Sequence, residues 1–332
     1  MKKLENSKVL VIGGSGFIGG FVVSELLKHN VSEVIIYDNF SRGCRSNLNK
    51  SLSDSRTEIF LDGSDILHKD TLMKAMEGID GVFHLAALWL LECNEYPRSA
   101  FDVNVVGTMN IIEAAISCGV SRFVFSSSAS VYGNTNSKKI LEDSQLNCDE
   151  LYGASKVCGE MIIKALFNRE YGKNFNNSYV GLRYMNVYGP RQNEDENYGG
   201  VVSRMLNLLD SGKPPIIHGD GSQSYDFVYV QDCARSNILA MKSDSKSALY
   251  NIGSGIKTSI NELAIMLSEL HPSQIKPIFR TAERPFVHNR FGSTKKAQEE
   301  IGFEAKYRLR EGLMEYLKYR ESNKINGINT SR

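Results

Sequence analysis

Short apolar runs alternate with longer stretches in which apolar residues recur every three or four positions throughout the first half of the chain. The short runs are rich in β-branched residues and predict strands, at 8–12, 33–37, 57–61, 81–84, 122–126 and 179–183. The longer stretches predict helices, at 16–28, 70–76, 100–118 and 151–167. Strands that are apolar along almost their whole length are typical of a parallel sheet covered by helices on both faces. We therefore expect an α/β fold with a doubly wound parallel sheet.

The regular alternation ends near Asn186. Residues 193–200 are polar, and helical patterns at 202–209 and 260–270 follow without the earlier strand between each pair. No Ser/Gly-rich linker separates the two halves of the chain. We predict three parts: a sheet domain at 1–185, a smaller, mostly C-terminal α/β lobe at 186–322 that is partly interwoven with the sheet, and a frayed tail at 323–332.

The composition excludes several classes of partner. Lys and Arg (39) nearly balance Asp and Glu (38), so the net charge of +1 gives no electrostatic footprint for nucleic acid or an anionic membrane. No apolar run approaches the roughly 18–20 residues that span a bilayer, and the first residues lack a signal-peptide core. The six cysteines are scattered without the spacing of a metal site or a disulfide framework. We expect a cytoplasmic protein without a bound metal.

The first predicted strand runs directly into a glycine-rich turn. Glycines stand at 13, 16 and 19 in the sequence Gly-Gly-Ser-Gly-Phe-Ile-Gly, and a helical pattern begins within it. Glycine allows a pyrophosphate to approach the backbone closely, and a helix N-terminus offers it unpaired N–H groups. Asp38 ends the second strand, where a carboxylate can accept hydrogen bonds from ribose hydroxyls and would repel a 2′-phosphate. These features predict a Rossmann-type site for NAD rather than NADP, with Arg42 near enough to offset part of the repulsion.

A tyrosine and a lysine four residues apart form the candidate catalytic pair. Tyr152 and Lys156 lie on one face of a predicted helix. A phenol titrates near pH ~10, and a neighbouring ammonium, together with the positive nicotinamide ring of NAD, favours its phenolate and is expected to lower its pKa. Tyr152 could then take a proton from a hydroxyl while hydride leaves the same carbon. Ser128, at the end of a predicted strand, could hydrogen-bond the reacting oxygen.

The order and spacing of further segments resemble the extended branch of the short-chain dehydrogenase/reductase superfamily, which contains the NAD-dependent nucleotide-sugar epimerases and dehydratases. The resemblance covers essentially the whole chain. It includes the glycine motif at 13–19, Asp65-Ile66, His84 to Ala87, Asn104 to Thr108, Ser126 to Gly133, Tyr152 to Lys156, Arg183 to Arg191 and Asp226 to Asp232. It implies NAD as the cofactor and a nucleotide-diphosphate sugar, of the UDP or GDP type, as the substrate.

The resemblance also implies which residues contact the cofactor. Asp65 would contact the adenine, and the segment after the fourth strand would line the cofactor cleft. The predicted cofactor contacts are Gly13, Gly16, Phe17, Ile18, Gly19, Asp38, Asn39, Asp65, Ile66, Leu85, Ala86, Ala87, Asn104, Ser126, Tyr152 and Lys156.

On the substrate side, the chain departs from the resembled family at two positions. Tyr225 stands where an arginine commonly binds the diphosphate, and Ser293 stands where an aspartate is common. Other arginines must then take more of the anionic charge, among them Arg191, Arg204, Arg284 and Arg290. The predicted substrate contacts are Ser128, Asn186, Arg191, Tyr225 and Arg290.

The segment Ser128-Ala129-Ser130 narrows the expected reaction. In the resembled dehydratases this segment reads Thr-Asp-Glu, whose acids protonate the leaving hydroxyl, so dehydration is disfavoured here. We expect oxidation of the sugar at C4 and return of the hydride to the other face, which is 4-epimerisation through a 4-keto sugar. One alternative is a 4-dehydrogenase that acts on a nucleotide-activated hexose or heptose and releases the 4-keto sugar. Its NADH would then be reoxidised by a second substrate such as a keto acid. The other is a dinucleotide-binding regulator without turnover.

The resemblance further implies a homodimer or a larger homo-oligomer. In that family two long helices of each subunit often form a four-helix interface. The corresponding segments of this chain are 100–118 and 151–167. Each carries apolar residues on more than one face, so we expect one of these faces to be buried against a second subunit.

Overall fold

Seven parallel strands form the central sheet of the computed structural model, which describes residues 4–61, 64–135, 139–170, 177–193, 199–281 and 289–325. The strands are β1 (Lys8–Ile12), β2 (Glu33–Tyr37), β3 (Thr57–Ile59), β4 (Gly81–His84), β5 (Arg122–Ser128), β6 (Ser178–Tyr184), β7 (Asn186–Tyr188), β8 (Ile216–His218), β9 (Ser224–Tyr229), β10 (Ser247–Ile252), β11 (Lys257–Ser259), β12 (Ile278–Arg280) and β13 (Asn289–Arg290). The central sheet has the order β10-β6-β5-β4-β1-β2-β3. Every strand that the apolar runs predicted lies in it, which confirms the doubly wound α/β fold.

Helices cover both faces of this sheet. The α-helices of the described chain, those of the smaller lobe included, are α1 (Phe17–Leu26), α2 (Lys69–Ala75), α3 (Leu90–Glu95), α4 (Pro97–Phe101), α5 (Thr108–Ser117), α6 (Leu151–Glu170), α7 (Val201–Asp210), α8 (Val230–Lys242), α9 (Ile260–Leu270), α10 (Lys295–Ile301) and α11 (Leu309–Ile325). Successive side chains of a strand point to opposite faces. Val9 and Val11 of β1 accordingly join the apolar core with α1 and α8, whereas Leu10 and Ile12 join the core with α2, α5 and α6.

The predicted helix at 100–118 is not one regular α-helix. It consists of α4, a π-helical segment from Asp102 to Gly107, and α5. A π-helical turn holds one more residue than an α-helical turn, so it changes which side chains face a neighbouring element. Here the segment includes the buried Asn104, which hydrogen-bonds residues near the candidate catalytic pair.

A smaller lobe is built mainly from the second half of the chain. β9 pairs with β7, β11 and β13, and β8 pairs with β12. A third apolar core, which includes Phe227 and Leu263, joins these strands to α7, α9 and α11. The same half also supplies β10, which pairs with β6 at the edge of the central sheet.

The end of the chain is helical farther than the sequence predicts. The predicted tail at 323–332 begins inside α11, which continues to Ile325, and residues 326–332 lie outside the described residues. Among the described helices, none is both long enough and apolar enough to span a membrane.

Candidate active site

The glycine turn after β1 has no room for side chains at two of its positions. Gly13 has φ +80°, and a Cβ atom there would lie 2.6 Å from the backbone nitrogen of Ala86. A Cβ atom on Gly19 would lie 2.0 Å from the carbonyl oxygen of Gly13. Gly16 precedes α1, and no side chain caps this helix. The first N–H groups of α1 are therefore available to an anion that approaches the bare backbone.

Asp38 lies beside this turn, at the end of β2. Its buried carboxylate accepts hydrogen bonds from the backbone N–H groups of Ser15 and Phe40, both at 2.9 Å. A carboxylate can accept about four hydrogen bonds, so Asp38 keeps acceptor capacity for a ligand hydroxyl. Arg42 does not pair with Asp38; its guanidinium bonds to Glu92 at 2.9 Å.

Asn39, Asp65 and Ile66 lie together on the β2 side of the cleft. The Asn39 amide donates to the Asp65 carboxylate at 2.9 Å, and the Tyr37 hydroxyl donates to the Asp65 carbonyl at 2.8 Å. Ile66 packs so closely on Gly107 that a Cβ atom on this glycine would lie 2.5 Å from the Ile66 side chain. The structure thus brings these predicted cofactor residues to one place.

Asn104 links the segment after β4 to the helix that carries the catalytic pair. Its amide oxygen accepts from the Leu88 backbone N–H at 2.7 Å. Its amide nitrogen donates to the Leu88 carbonyl at 3.0 Å and to the Ser155 hydroxyl at 3.1 Å. Asn104 therefore acts as a positioning residue for the turn that follows Leu85, Ala86 and Ala87.

The candidate catalytic residues meet at the carboxyl end of β5. The Ser128 side chain lies close enough to the Tyr152 phenol to lower its pKa, and it accepts a hydrogen bond from the backbone N–H of Ser130 at 3.1 Å. The Lys156 ammonium donates to the Ser126 carbonyl at 2.8 Å and lies 5.7 Å from the centre of the Tyr152 ring. In α/β sheets, ligands bind at the carboxyl ends of parallel strands, which is the end where these groups and the glycine turn lie.

The pKa of Tyr152 differs from the sequence-based expectation. We expected the Lys156 ammonium to lower this pKa, but burial raises the pKa of Tyr152 to about 12. Ser128 and the charges of Arg42 and Arg290 act on this pKa in the opposite direction, and their effect is smaller than that of burial. Burial also lowers the pKa of Lys156 to about 8. In the polypeptide alone burial outweighs the neighbouring charges, because desolvation opposes both charged forms. Formation of the phenolate requires positive charge beyond that of the lysine.

Arg290 and Tyr225 lie beside this catalytic group. They are register partners on β13 and β9. The Arg290 guanidinium donates to the Ser130 hydroxyl at 3.3 Å, and its charge opposes the upward pKa shift that burial causes in Tyr225. Asn186 begins β7 directly beyond the end of β6, at the same edge of the sheet.

Two further candidate anion ligands, Arg191 and Arg204, are not brought to this group. The Arg191 guanidinium lies 4.5 Å from the centre of the Phe21 ring on α1, and burial lowers its pKa. Arg204 is exposed on α7. Arg284 lies outside the described residues. Arg191 thus packs against α1 and not against the catalytic group, and its contact with the substrate stays a prediction.

Sequence reasoning missed a buried ion pair behind the catalytic residues. Glu160 of α6 binds Arg183 of β6 through two hydrogen bonds of 2.9 and 2.7 Å, and it accepts a 2.5 Å bond from the Ser127 hydroxyl. Arg183 also donates to the Tyr132 hydroxyl at 2.7 Å. Glu160 lies one helical turn beyond Lys156, so the four-residue spacing could have indicated that it shares the buried face of α6.

Comparison with known proteins identifies the family. Residues 9–253 match the model of the NAD-dependent epimerase/dehydratase family. The chain belongs to this family. It is 35% identical over 318 residues to a putative UDP-glucose 4-epimerase of Methanocaldococcus jannaschii, and the match covers 95% of this chain and 99% of the relative. These findings confirm the resemblance drawn from the motifs.

Two solved structures share the fold over nearly the whole chain. One is UDP-N-acetylglucosamine 4-epimerase from Methanobrevibacter ruminantium M1 in complex with UDP-N-acetylmuramic acid, with a TM-score of 0.87, 30% identity and coverage of 96% of this chain and 99% of that chain. The other is MoeE5 in complex with UDP-glucuronic acid and NAD, with a TM-score of 0.82, 30% identity and coverage of 95% and 99%.

The residues of the cleft fit the NAD that this family uses. The bare backbone at Gly13 and Gly19 and the uncapped start of α1 would hold the pyrophosphate. Asp38 would accept from the hydroxyls of one ribose, and Lys156 would donate to the other. In the part of the chain that the structure describes, no group of three or more His, Cys, Asp or Glu side chains is placed to hold a metal ion.

We expect NAD to bind about ten to a hundred times more tightly than NADP, because Asp38 would repel the 2′-phosphate. Arg42 offsets little of this repulsion, because its guanidinium is paired with Glu92. Titration of the protein with each cofactor measures the two affinities. As a control, Glu92→Gln releases Arg42 and should reduce the difference between the affinities for NAD and NADP. Equal affinities for the two cofactors in the unsubstituted protein would contradict the role given to Asp38.

Proposed function

We propose that this enzyme catalyses the NAD-dependent 4-epimerisation of a nucleotide sugar through a 4-keto intermediate. The observation that carries the proposal is that Tyr152, Ser128 and the buried Lys156 lie together at the same sheet edge as the glycine turn. This arrangement brings a proton acceptor to the place where a sugar bound next to NAD would present a hydroxyl.

Each residue has a distinct task in this reaction. Tyr152 takes the proton of the C4 hydroxyl, and Ser128 hydrogen-bonds the same oxygen and keeps it oriented. NAD, when bound, would supply the acceptor for the C4 hydride and, in its reduced form, the donor. Lys156 contributes positive charge that favours the phenolate form of Tyr152. After the keto sugar has turned over, Tyr152 returns the proton to the C4 oxygen, so protons and hydride both balance.

The end of β5 favours this reaction over an elimination. Ala129 and Ser130 follow Ser128 and are buried, and neither can donate a proton as a carboxylic acid does. Loss of a hydroxyl from the sugar would need such an acid beside the leaving oxygen. Oxidation and reduction at one carbon need only the groups already described.

The substrate proposed here is a UDP sugar, handled in the cytoplasm. The relatives described above are named for UDP sugars or were solved with them. Tyr225 supplies a hydroxyl at a position where the resembled family commonly has an arginine, so the diphosphate contacts of this chain would differ from those of such relatives.

The test incubates enzyme with UDP-glucose and related UDP sugars and follows the products by NMR. An epimerase inverts C4 without an added oxidant, because it regenerates its cofactor in each cycle. A second arm adds a keto acid such as α-ketoglutarate. If a 4-keto sugar or its hydrate forms only in that arm, the enzyme is a 4-dehydrogenase and the proposal is wrong.

We also propose a homodimer formed through α4, the π-helical segment and α6. Phe101, Val106 and Met161 are 44%, 39% and 48% exposed on these elements, although all three are apolar. A substitution Met161→Glu should convert the dimer into a monomer in analytical ultracentrifugation, because it would bury a charge in the interface. Met314 on α11 is 44% exposed, and Met314→Glu is the matched control that should remain dimeric. A monomeric unsubstituted protein at micromolar concentration would contradict the proposal.

A further inference from the structure

The loop that follows β2 lies directly on the glycine turn. We call residues 39–47 of this loop the strap. Its Gly43 packs so closely on the turn that a Cβ atom there would collide with the Ser15 side chain. The Cys44 backbone N–H and the Asn47 amide both donate to the Ser15 carbonyl, at 3.1 and 2.8 Å. The strap is therefore anchored on the same turn that would hold the pyrophosphate.

Arg42 extends from the strap to the opposite side of the cofactor cleft. Its guanidinium lies 2.9 Å from a carboxylate oxygen of Glu92, in the segment that follows β4. The same oxygen accepts the Trp89 backbone N–H at 2.9 Å, which fixes Glu92 at the start of α3. In the central sheet β1 lies between β2 and β4. An ion pair between the segments after β2 and β4 therefore bridges the carboxyl end of β1, where the glycine turn lies.

This bridge follows the path that the cofactor needs. NAD would extend from Asp38 across the glycine turn to Lys156. The bridge begins four residues after Asp38, and the charge of Arg42 is close enough to Tyr152 to oppose the rise in its pKa. The side chains of Arg42 and Glu92 are 31% and 19% exposed, so the pair lies where the cleft meets solvent.

We propose that the ion pair of Arg42 and Glu92 is a gate that must open before the cofactor can enter or leave the cleft. The pair joins two segments of the protein and does not need to touch the cofactor. Opening it costs the same with or without bound cofactor, so the gate slows association and dissociation equally and leaves the affinity nearly unchanged. The gate concerns the cofactor alone, and it is independent of which sugar reaction follows.

The test measures the exchange rate of bound NADH and the affinity for NADH, and it needs no turnover. Exchange against excess NAD is followed by stopped-flow fluorescence, and Trp89, the only tryptophan of the chain, supplies energy transfer to bound NADH. Glu92→Gln removes the charge and keeps an oxygen for the Trp89 N–H group. We expect exchange to be about three to ten times faster in Glu92→Gln and in Arg42→Met. The dissociation constant should change less than about twofold, because both rate constants rise together.

A double substitution and a charge control separate the gate from other roles. The protein with both Glu92→Gln and Arg42→Met should exchange NADH no faster than either single variant, because both substitutions remove the same interaction. Lys50→Met removes an exposed cation shortly after the strap and should leave the exchange rate unchanged.

Two results would overturn the proposal. One is an exchange rate that stays the same in Glu92→Gln. The other is a dissociation constant that rises as much as the exchange rate in Arg42→Met and stays unchanged in Glu92→Gln, since Arg42 would then bind the cofactor directly.

Discussion

Replacing Tyr152 with phenylalanine should lower turnover by about two to four orders of magnitude and leave NAD bound, because the change removes only the proton acceptor. The phenol lies next to Ser128, and its ring centre is 5.7 Å from the Lys156 ammonium. Turnover is measured by NMR of the sugar, and the bound cofactor is measured by release on denaturation.

The control for this substitution is Tyr250→Phe. It also removes a phenol hydroxyl, but one that bonds to Ser245 and Glu300 away from the catalytic group. Its turnover should match that of the unsubstituted enzyme. Unchanged turnover in the Tyr152→Phe protein would contradict the catalytic assignment, whereas loss of NAD would show that the phenol serves mainly to bind the cofactor.

Replacing Glu160 with alanine should lower the free energy of unfolding by about 3–5 kcal/mol, because it leaves the Arg183 charge buried and unpaired. Glu160 and Arg183 are 3% and 2% exposed, so water cannot replace the lost partner. Urea unfolding measures the change. The exposed pair of Glu315 and Lys318 provides the control, since Glu315→Ala should cost less than about 1 kcal/mol.

A substitution of Glu160 should also slow catalysis, because Glu160 holds the helix that carries the catalytic residues in place. Glu160 joins α6, which carries Tyr152 and Lys156, to the Ser127 hydroxyl on β5, next to Ser128. The turnover of a folded Glu160→Gln protein should therefore fall more than its affinity for NAD.

The double substitution of Glu160→Ala with Arg183→Met should recover part of the lost free energy of unfolding, since no buried charge is then left unpaired. A loss below about 1 kcal/mol in Glu160→Ala would contradict the structural role of the pair.

The sequence predicted the sheet and the glycine turn because both depend on local patterns. β-branched apolar runs mark the strands of a covered parallel sheet, and glycine is required where Gly13 adopts φ +80°. The spacing of Tyr152 and Lys156 likewise depends only on the helical repeat. These features could be derived without knowing which distant segments pack together.

Other features depend on tertiary contacts and could not be derived in this way. Arg191 has φ +67° and turns its side chain onto Phe21, a contact that no spacing in the sequence indicates. The π-helical segment shifts the helical phase by one residue, which a periodic pattern of apolar positions tolerates. The raised pKa of Tyr152 results from burial by several elements, and only their packing determines it.

The central claim is that hydride leaves C4 of a nucleotide sugar and returns to the same carbon. The direct test incubates the enzyme, without an added oxidant, with UDP-glucose or UDP-glucuronic acid that carries deuterium at C4. The account predicts a C4-inverted product that retains deuterium at C4. In a parallel incubation with a keto acid, deuterium transferred to that acid, with a 4-keto sugar as the product, would contradict it.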